Sequence, residues 1–277
     1  MQHTRLSSLC LLIPFLALML AGCGPQSAPE GSGNTRPATA DETEATPSAT
    51  GETGRTASGA TAGTATTVTS ENTTADRETD VALISASSRG DARTVERLLE
   101  QGVDVHARDE TSGTTPLIAA AYGNHVEVAR ILIEAGADVN VKDETQQSAY
   151  LISTSEIGDD PRLLKLTLAN GADVHSLDSY NGTGLIRASE RGYVQIVREL
   201  LETEVRVDHV NNLGWTALLE AIILGDCGLS HTEVVQLLVE AGADVNLADS
   251  GGVTPLQHAR QQGCTGIAEI LENAGAV

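Results

Sequence analysis

The feature that most constrains this chain is a phrase that recurs at nearly constant spacing. EAGADVN occurs at residues 134–140 and again, unchanged, at 240–246, with NGADVH between them at 170–175. The glycine of this phrase and its counterparts are Gly102, Gly136, Gly171, Glu204, Gly242 and Gly275, at intervals of 34, 35, 33, 38 and 33 residues. A period near 33 predicts a stacked array of about six small units, which bury their apolar faces only against one another.

A second phrase precedes the first by about twenty residues in four of the units. It begins at Thr115, Thr183, Thr216 and Thr254, as TPLIAAA, TGLIRAS, TALLEAI and TPLQHAR. Threonine at this place predicts a helix N-cap, and the following glycine phrase predicts the end of a second helix in the left-handed region. Each unit is therefore predicted to hold two short helices.

Together these phrases resemble the ankyrin repeat. The resemblance implies an all-α solenoid of about six helix-turn-helix repeats with short β-hairpin or loop tips. We expect the repeat domain to occupy residues 80–277. The expected repeats are 81–108, 109–142, 143–177, 178–210, 211–248 and 249–277.

The chain departs from the family pattern in three ways. The family's histidine after T-P-L is replaced by Ile84, Ile118, Leu151, Ile186, Leu219 and Gln257, so we expect apolar packing there instead. The third unit lacks the T-P pair and has an extra residue near Gly158. Glu204 at a glycine position would cost about 1 kcal/mol if its φ were positive. We expect weakness around units three and four, either from drift in a tolerant array or as a hinge.

The first residues predict export. Arg5 precedes an apolar run at 9–20 that is short for a membrane span. LAGC at 20–23 resembles the lipobox of bacterial lipoproteins, which implies a signal peptide at 1–22 and lipidation of Cys23. The alternative is an ordinary signal peptide with a chance cysteine. The lipobox implies a chain anchored to the outer face of the cell membrane or to the outer membrane, in the periplasm or at the cell surface.

The segment 23–79 is predicted to be a disordered tether. Residues 24–79 contain 20 Ser or Thr among 56 residues, and Val68 is their one large aliphatic residue. Such a composition does not bury enough apolar area to offset its ordering entropy. The tether would reach roughly 40 Å. The triplet NTT at 72–74 leaves glycosylation open against a plain spacer.

Charge and motifs exclude several functions. The chain has 17 Lys and Arg against 38 Asp and Glu, a net charge of −21, which disfavours nucleic acids and makes a basic protein partner plausible. Phosphate loops, Cys-x-x-Cys, His-Glu-x-x-His and Gly-x-Ser-x-Gly are missing, and EIGDDP at 156–161 lacks the spacing of a calcium loop. We therefore expect no catalytic residue, no metal and no cofactor.

The fifth unit carries an insertion, GDCGLS at 225–230. It brings Cys227 to the same edge as Cys264 of the sixth unit. Packed repeats are about 10 Å apart, too far for a bridge between rigid turns, but an inserted loop can close that gap. We expect a disulfide, with reduced thiols as the alternative.

The resemblance to ankyrin repeats implies protein binding through the concave side, by a protein that we expect to be monomeric. Two alternatives remain open: a structural element that binds the cell wall, and an enzyme of unrecognised type. Trp215 is either an anchor for the partner or a packing residue. The candidate contacts at the tips are Arg108, Glu110, Lys142, Glu144, Tyr180, Asn181, Asn212 and Trp215, and those on the first helices are Tyr122, Arg187, Glu190 and Arg191.

Overall fold

The computed structural model describes residues 74–277. The predicted signal peptide, Cys23 and the tether up to residue 73 lie outside the described residues. Between residues 74 and 277, twelve helices follow one another in pairs. The expected all-helical repeat architecture is confirmed. Its tips are loops, since the sole β pairing found in this range is an isolated bridge between Leu177 and Thr183.

Each repeat contributes a first helix and a second helix, which form two layers. The first helices are α1 Thr74–Ser88, α3 Pro116–Tyr122, α5 Ala149–Ser155, α7 Gly184–Glu190, α9 Ala217–Ile223 and α11 Pro255–Gln262. The second helices are α2 Ala92–Glu100, α4 Val126–Glu134, α6 Arg162–Ala169, α8 Val194–Leu201, α10 Leu229–Glu240 and α12 Thr265–Asn273. First helices pack against first helices of adjacent repeats, and second helices against second helices.

Hydroxyl side chains start the first helices, as the sequence predicts. Thr115, Thr183, Thr216 and Thr254 each accept the backbone N–H three residues ahead. Ser148 does the same in the third repeat, which lacks the T-P pair. The cap satisfies an amide that has no partner within the helix, so the register of the third repeat is defined by serine in place of threonine.

Glycine ends the second helices, except in the fourth repeat. The five glycines of the recurring phrase have φ between 82° and 104°. Glu204 is not among the residues with positive φ, so the strain that a left-handed glutamate would cause is absent. The Thr203 hydroxyl donates to the Leu200 carbonyl at 2.6 Å and accepts the Val205 amide at 3.3 Å. Hydrogen bonds of the Thr203 side chain thus take the place of the left-handed glycine at this helix end.

The residues that stand in place of the family's histidine are mostly apolar and buried. Ile118, Leu151, Ile186 and Leu219 are each 3% exposed or less, whereas the exposed Gln257 accepts the Thr254 amide in a capping box. Apolar packing therefore does take over where the histidine is missing. The buried apolar residues fall into two clusters that meet in the third repeat, where Ile152 belongs to one and Tyr150 to the other.

The helical array begins earlier than expected. Helix α1 starts at Thr74, so residues 74–79 are helical, and their assignment to the tether was wrong. Helix α1 packs against α3, and its buried apolar residues Leu83 and Ala86 lie in its second half. Helix propagation from this packed part extends α1 into polar sequence. Arg77 on this extension lies 3.1 Å from the carboxylate of Glu110. The extension occupies the edge where the later repeats have a loop.

The inserted loop of the fifth repeat is joined to the sixth repeat. The structure contains a disulfide between Cys227 and Cys264, with Cα atoms 5.3 Å apart and a sequence separation of 37. Cys227 has a φ of 57°, so the chain turns sharply at the bridge. The loop folds over toward α12 and closes the gap between the two repeats.

The glycine of the sequence TGL in the fourth repeat, Gly184, is explained by side chains of the third repeat. A Cβ on Gly184 would lie 2.8 Å from Thr154 Cγ2 and 2.8 Å from Tyr150 Oη. Tyr150 stands where the second repeat has Leu117, and its side chain is fully buried. The larger side chain in one repeat therefore requires a glycine in the next.

We predict that Gly184→Ala lowers the free energy of unfolding by about 1–3 kcal/mol, because the new methyl group has no room. In a Tyr150→Leu background the loss should be smaller, since the phenol is gone. Denaturant unfolding of the four chains measures this coupling. Gly266→Ala is the control: its Cβ meets nothing within 4 Å in α12, so this helical position should gain stability. Equal losses in both backgrounds would contradict the steric account.

Candidate binding surface

A short loop, here called a finger, precedes each first helix from the second repeat onward. Fingers 2 to 6 comprise residues 109–114, 143–147, 178–182, 211–215 and 249–253. An Asp or Asn opens each finger, and its side-chain oxygen accepts backbone amides within the same finger. Its own backbone amide bonds the carbonyl at the far end. Each finger is therefore held in one shape by local hydrogen bonds.

Adjacent fingers are also bonded to each other. The Glu144 amide donates to the Ser112 carbonyl at 3.0 Å, and the Asn212 amide donates to the Tyr180 carbonyl at 3.0 Å. These bonds run between fingers 2 and 3 and between fingers 4 and 5. The five fingers, two pairs of which are joined by backbone bonds, are here called the rim.

Four predicted contact residues have side chains that stabilise this rim. Arg108 donates to the Lys142 carbonyl at 2.7 Å, and the Lys142 ammonium donates to the Leu177 carbonyl at 2.6 Å. Asn181, with φ 60°, donates to the Val210 carbonyl at 3.2 Å, and Glu110 pairs with Arg77. Their polar groups are engaged within the protein, so their first role in this structure is to connect repeats.

Other predicted contact residues are open to solvent. Tyr180 is 66% exposed and Tyr122 is 48% exposed. Glu144, Asn212 and Arg191 are exposed as well. Trp215 and Glu190 are partly buried. Leu213 of finger 5, which the sequence analysis did not select, is 50% exposed. The exposed apolar side chains of the rim therefore include Tyr180 in finger 4 and Leu213 in finger 5.

Arg187, a predicted contact, lies in a network of ion pairs. Its side chain is 14% exposed and reaches Asp178 Oδ2 at 2.9 Å and Glu156 Oε1 at 2.6 Å. It also donates to the Ser155 hydroxyl at 2.8 Å. Because Glu156 and Ser155 belong to the third repeat, this guanidinium connects the third repeat to the fourth.

The residues that correspond to Arg187 on α9 and α11 bond to fingers 5 and 6. Glu220 accepts a hydrogen bond from the Asn211 amide group at 2.6 Å, and His258 Nε2 lies 2.8 Å from Asp249 Oδ2. The separation is nine residues in each case, as it is between Asp178 and Arg187. The acid Glu220 thus faces an asparagine, whereas the basic Arg187 and His258 face aspartates. The nine-residue spacing between the first residue of a finger and its partner on the following helix is the sequence signal that would have revealed these pairs.

Glu220 is buried, with 4% of the residue exposed. Burial raises the pKa of its carboxyl group to about 7. The hydrogen bond from Asn211 opposes this rise, whereas the charges of Glu190 and Asp178 add to it. The Glu220 carboxyl is therefore protonated more readily than an exposed glutamate.

The asparagine of the recurring phrase has a role that sequence reasoning missed. Asn140 donates to the Gly171 carbonyl at 2.9 Å and accepts the Asp173 amide at 2.8 Å. Asn246 accepts the Val277 amide at 2.9 Å in the same manner. The amide group bridges one repeat to the next, so the phrase ends a helix and also bonds its neighbour.

The carboxylates of EIGDDP are engaged by protein groups. Asp159 accepts the amides of Gln195 and Ile196 at the start of α8, and Asp160 pairs with Arg162 at 2.6 Å. Within residues 74–277, no cluster of three or more His, Cys, Asp or Glu side chains is arranged to hold a metal ion. A search of the same residues finds no helix that is both long and apolar enough to cross a membrane.

Comparisons with known proteins agree on one family. The family model described as ankyrin repeats (3 copies) matches residues 63–143 and 151–249. The ankyrin repeat protein YahD of Escherichia coli K12 is 41% identical over 192 residues, which cover 69% of this chain and 94% of that protein.

Solved structures agree with this result. An ankyrin repeat domain from Acinetobacter baumannii AYE is 47% identical, with a TM-score of 0.67 and coverage of 71% of this chain and 98% of that one. The ankyrin repeat protein EF0377 is 34% identical, with a TM-score of 0.64 and coverage of 70% and 97%.

We predict that Arg187→Ala lowers the free energy of unfolding by about 3 kcal/mol, because it leaves Asp178 buried without its cation. Arg191→Ala, a change of the same kind at the exposed C-cap of the same helix, should cost at most about 0.5 kcal/mol. Denaturant unfolding measures both. Similar effects of the two substitutions would show that the network does not hold the repeats together.

Proposed function

Since this chain belongs to the ankyrin repeat family, we propose that its array is a non-catalytic module that binds another protein through the fingers and the first helices. One observation carries this proposal: fingers that are held by local hydrogen bonds present exposed apolar side chains at Tyr180 and Leu213. A preformed surface loses little conformational entropy on binding. Exposed aromatic groups supply the apolar anchors that dominate protein interfaces.

The electrostatic balance favours a cationic partner. The chain carries a net charge of −21, and carboxylates lie along the fingers, including the exposed Glu144. Complementary charge accelerates encounter and disfavours acidic competitors. The partner is therefore proposed to be a protein with a basic surface or segment.

The module is also proposed to act outside the cytoplasm, on a lipid anchor at Cys23. The sequence LAGC and the Ser/Thr-rich segment after it support this location. The disulfide between Cys227 and Cys264 is of the kind that persists in oxidising compartments. A tether of roughly 40 Å would let the array search the space next to the membrane.

The anchor is tested by Cys23→Ser in the full chain. We expect the wild-type protein in the membrane fraction and the variant in the soluble or secreted fraction, because acyl chains supply the membrane affinity. Fractionation followed by mass spectrometry of the N-terminal peptide measures this. A Cys10→Ser chain is the control, and membrane recovery of both variants would contradict a lipid on Cys23.

The binding surface is tested by a photocrosslinking amino acid placed at Tyr180 in the full chain in intact cells. We expect crosslinks to a distinct protein, identified by mass spectrometry, and loss of at least about ten-fold in yield with Trp215→Ala if the indole is an anchor. Leu229, 91% exposed at the start of α10, is the matched control site.

Two results, one from crosslinking and one from sedimentation, would contradict the proposal. Equal crosslinking from Tyr180 and Leu229 would mean that the fingers have no special role. Sedimentation of the purified array with cell-wall material, without any captured protein, would favour a structural envelope-binding element.

A further inference from the structure

The two cysteines of the disulfide differ in how far solvent reaches them. Cys264 is 3% exposed and belongs to the apolar core, whereas Cys227 in the inserted loop is partly exposed. Thiol–disulfide exchange depends on which sulfur an incoming thiolate can reach. An external thiol therefore meets Cys227 first, and exchange at this bond has a preferred direction.

Cys264 is well placed to leave as a thiolate. It is the N-cap of α12, and its side chain makes no capping hydrogen bond there. The N-cap of α11, Thr254, instead accepts the backbone N–H of Gln257. Amides at the N-terminus of a helix stabilise a negative charge, including that of a cysteine thiolate. A thiolate at Cys264 would thus take a capping role that the disulfide leaves unused.

The inserted loop is attached on two sides. Toward the fourth repeat, His231 Nε2 lies 3.1 Å from the Glu190 carbonyl oxygen, and His231 Nδ1 lies 2.8 Å from Asp226 Oδ1. Toward the sixth repeat the loop is attached by the disulfide. On the same edge Gln262 donates to the Ile223 carbonyl at 3.2 Å, in a bond open to solvent. When the disulfide opens, the loop therefore stays on the fourth repeat, and the sixth repeat loses a connection.

The sixth repeat is held through its interface with the fifth. Helix α11 packs against α9, and α12 packs against α10. Cys264 lies 16 positions beyond Ala248, the residue before finger 6, so opening of the sixth repeat in the oxidised chain leaves a closed loop of this length. Closing a loop of about 15 residues disfavours such opening by about a hundred-fold. The disulfide is therefore a strong control on the local stability of the sixth repeat.

We propose that Cys227 is a thiol-reactive site for a protein dithiol, and that exchange there releases the sixth repeat. One thiolate of the dithiol attacks Cys227 Sγ, the disulfide breaks, and Cys264 Sγ leaves with the electron pair and takes a proton from water. The second thiolate of the dithiol then attacks its own sulfur in the mixed disulfide and releases Cys227 as a thiolate. The dithiol is oxidised to a disulfide by two electrons, and this chain is reduced by the same two.

Release of the sixth repeat would change the binding surface at one end. This repeat carries finger 6, residues 249–253, whose Asp249 pairs with His258 on α11. The backbone bond between fingers 4 and 5 lies outside it. Reduction is therefore expected to remove finger 6 from the rim and to leave fingers 4 and 5 in place, a consequence that rests on the proposed function.

The reactive sulfur is identified by trapping the mixed disulfide. The test uses the full chain with Cys10→Ser and Cys23→Ser, in which the disulfide pair are the only cysteines. The chain is treated briefly with 2-mercaptoethanol, quenched with acid, alkylated with N-ethylmaleimide and analysed by peptide mass spectrometry. We expect mercaptoethanol on Cys227 and maleimide on Cys264. The reverse distribution, or equal amounts of the two, would overturn the assignment.

The release is measured by hydrogen exchange of the same chain before and after dithiothreitol. We expect amide protection in α11 and α12 to decrease by about a hundred-fold on reduction, with α3 and α4 unchanged. Cys227→Ser should reproduce the reduced chain. Ser230→Ala, which changes an exposed side chain of the same insertion and keeps the disulfide, should reproduce the oxidised one.

The outcomes separate this site from the binding function. Equal protection of α11 and α12 in the oxidised and reduced chains would overturn the release of the sixth repeat. Loss of protection in all helices together would overturn it as well, because the effect would then be global unfolding. Partner crosslinking at Tyr180 in the oxidised chain tests the binding module alone, so its success beside either failure would retain the module without the thiol-reactive site.

Discussion

The structure depends on the fact that no repeat buries its own apolar surface. Each first helix has only seven or eight residues after α1, too few to be stable alone. Packing of first helices on first helices and second helices on second helices supplies the missing contacts. Stability is then a sum of terms within each repeat and between nearest neighbours, so a departure in one repeat is compensated either within that repeat or in the repeat next to it.

Several pairs of residues show such compensation. Gly184 leaves room for the bulky side chain of Tyr150. The Thr203 hydroxyl compensates, within the same repeat, for the missing glycine turn at Glu204. The interface between the third and fourth repeats carries an Arg187 network and an Asp159 cap in addition to its apolar contacts. The expectation of weakness there was based only on departures from the family's sequence pattern. The added polar contacts lie between residues more than 30 positions apart, which no local pattern reveals.

The surface proposed for binding follows from the same stacking. Fingers held by their own Asp or Asn residues are brought side by side, and backbone bonds between them leave the tips little freedom. Side chains that the sequence suggested as contacts divide into two groups. Arg108, Lys142, Asn181 and Arg187 connect repeats, whereas Tyr122, Tyr180 and Arg191 remain open to solvent. An interface on this rim therefore combines rigid backbone with a few exposed aromatic and apolar groups, and beneath it lies a carboxyl group whose ionisation depends on its surroundings.

The sequence by itself determined the repeat period, the helix starts at threonine, the glycine stops and hence the all-helical solenoid, because these signals lie within a few residues of each other and act through local backbone chemistry. It also indicated that Cys227 and Cys264 share an edge, since their positions in adjacent units correspond. Only the tertiary structure decided which polar side chains are engaged, that Asn140 bridges repeats, and that Glu220 is buried with one oxygen unpaired. Those properties depend on atoms that stacking brings together from neighbouring repeats, and a one-dimensional pattern does not specify such distances.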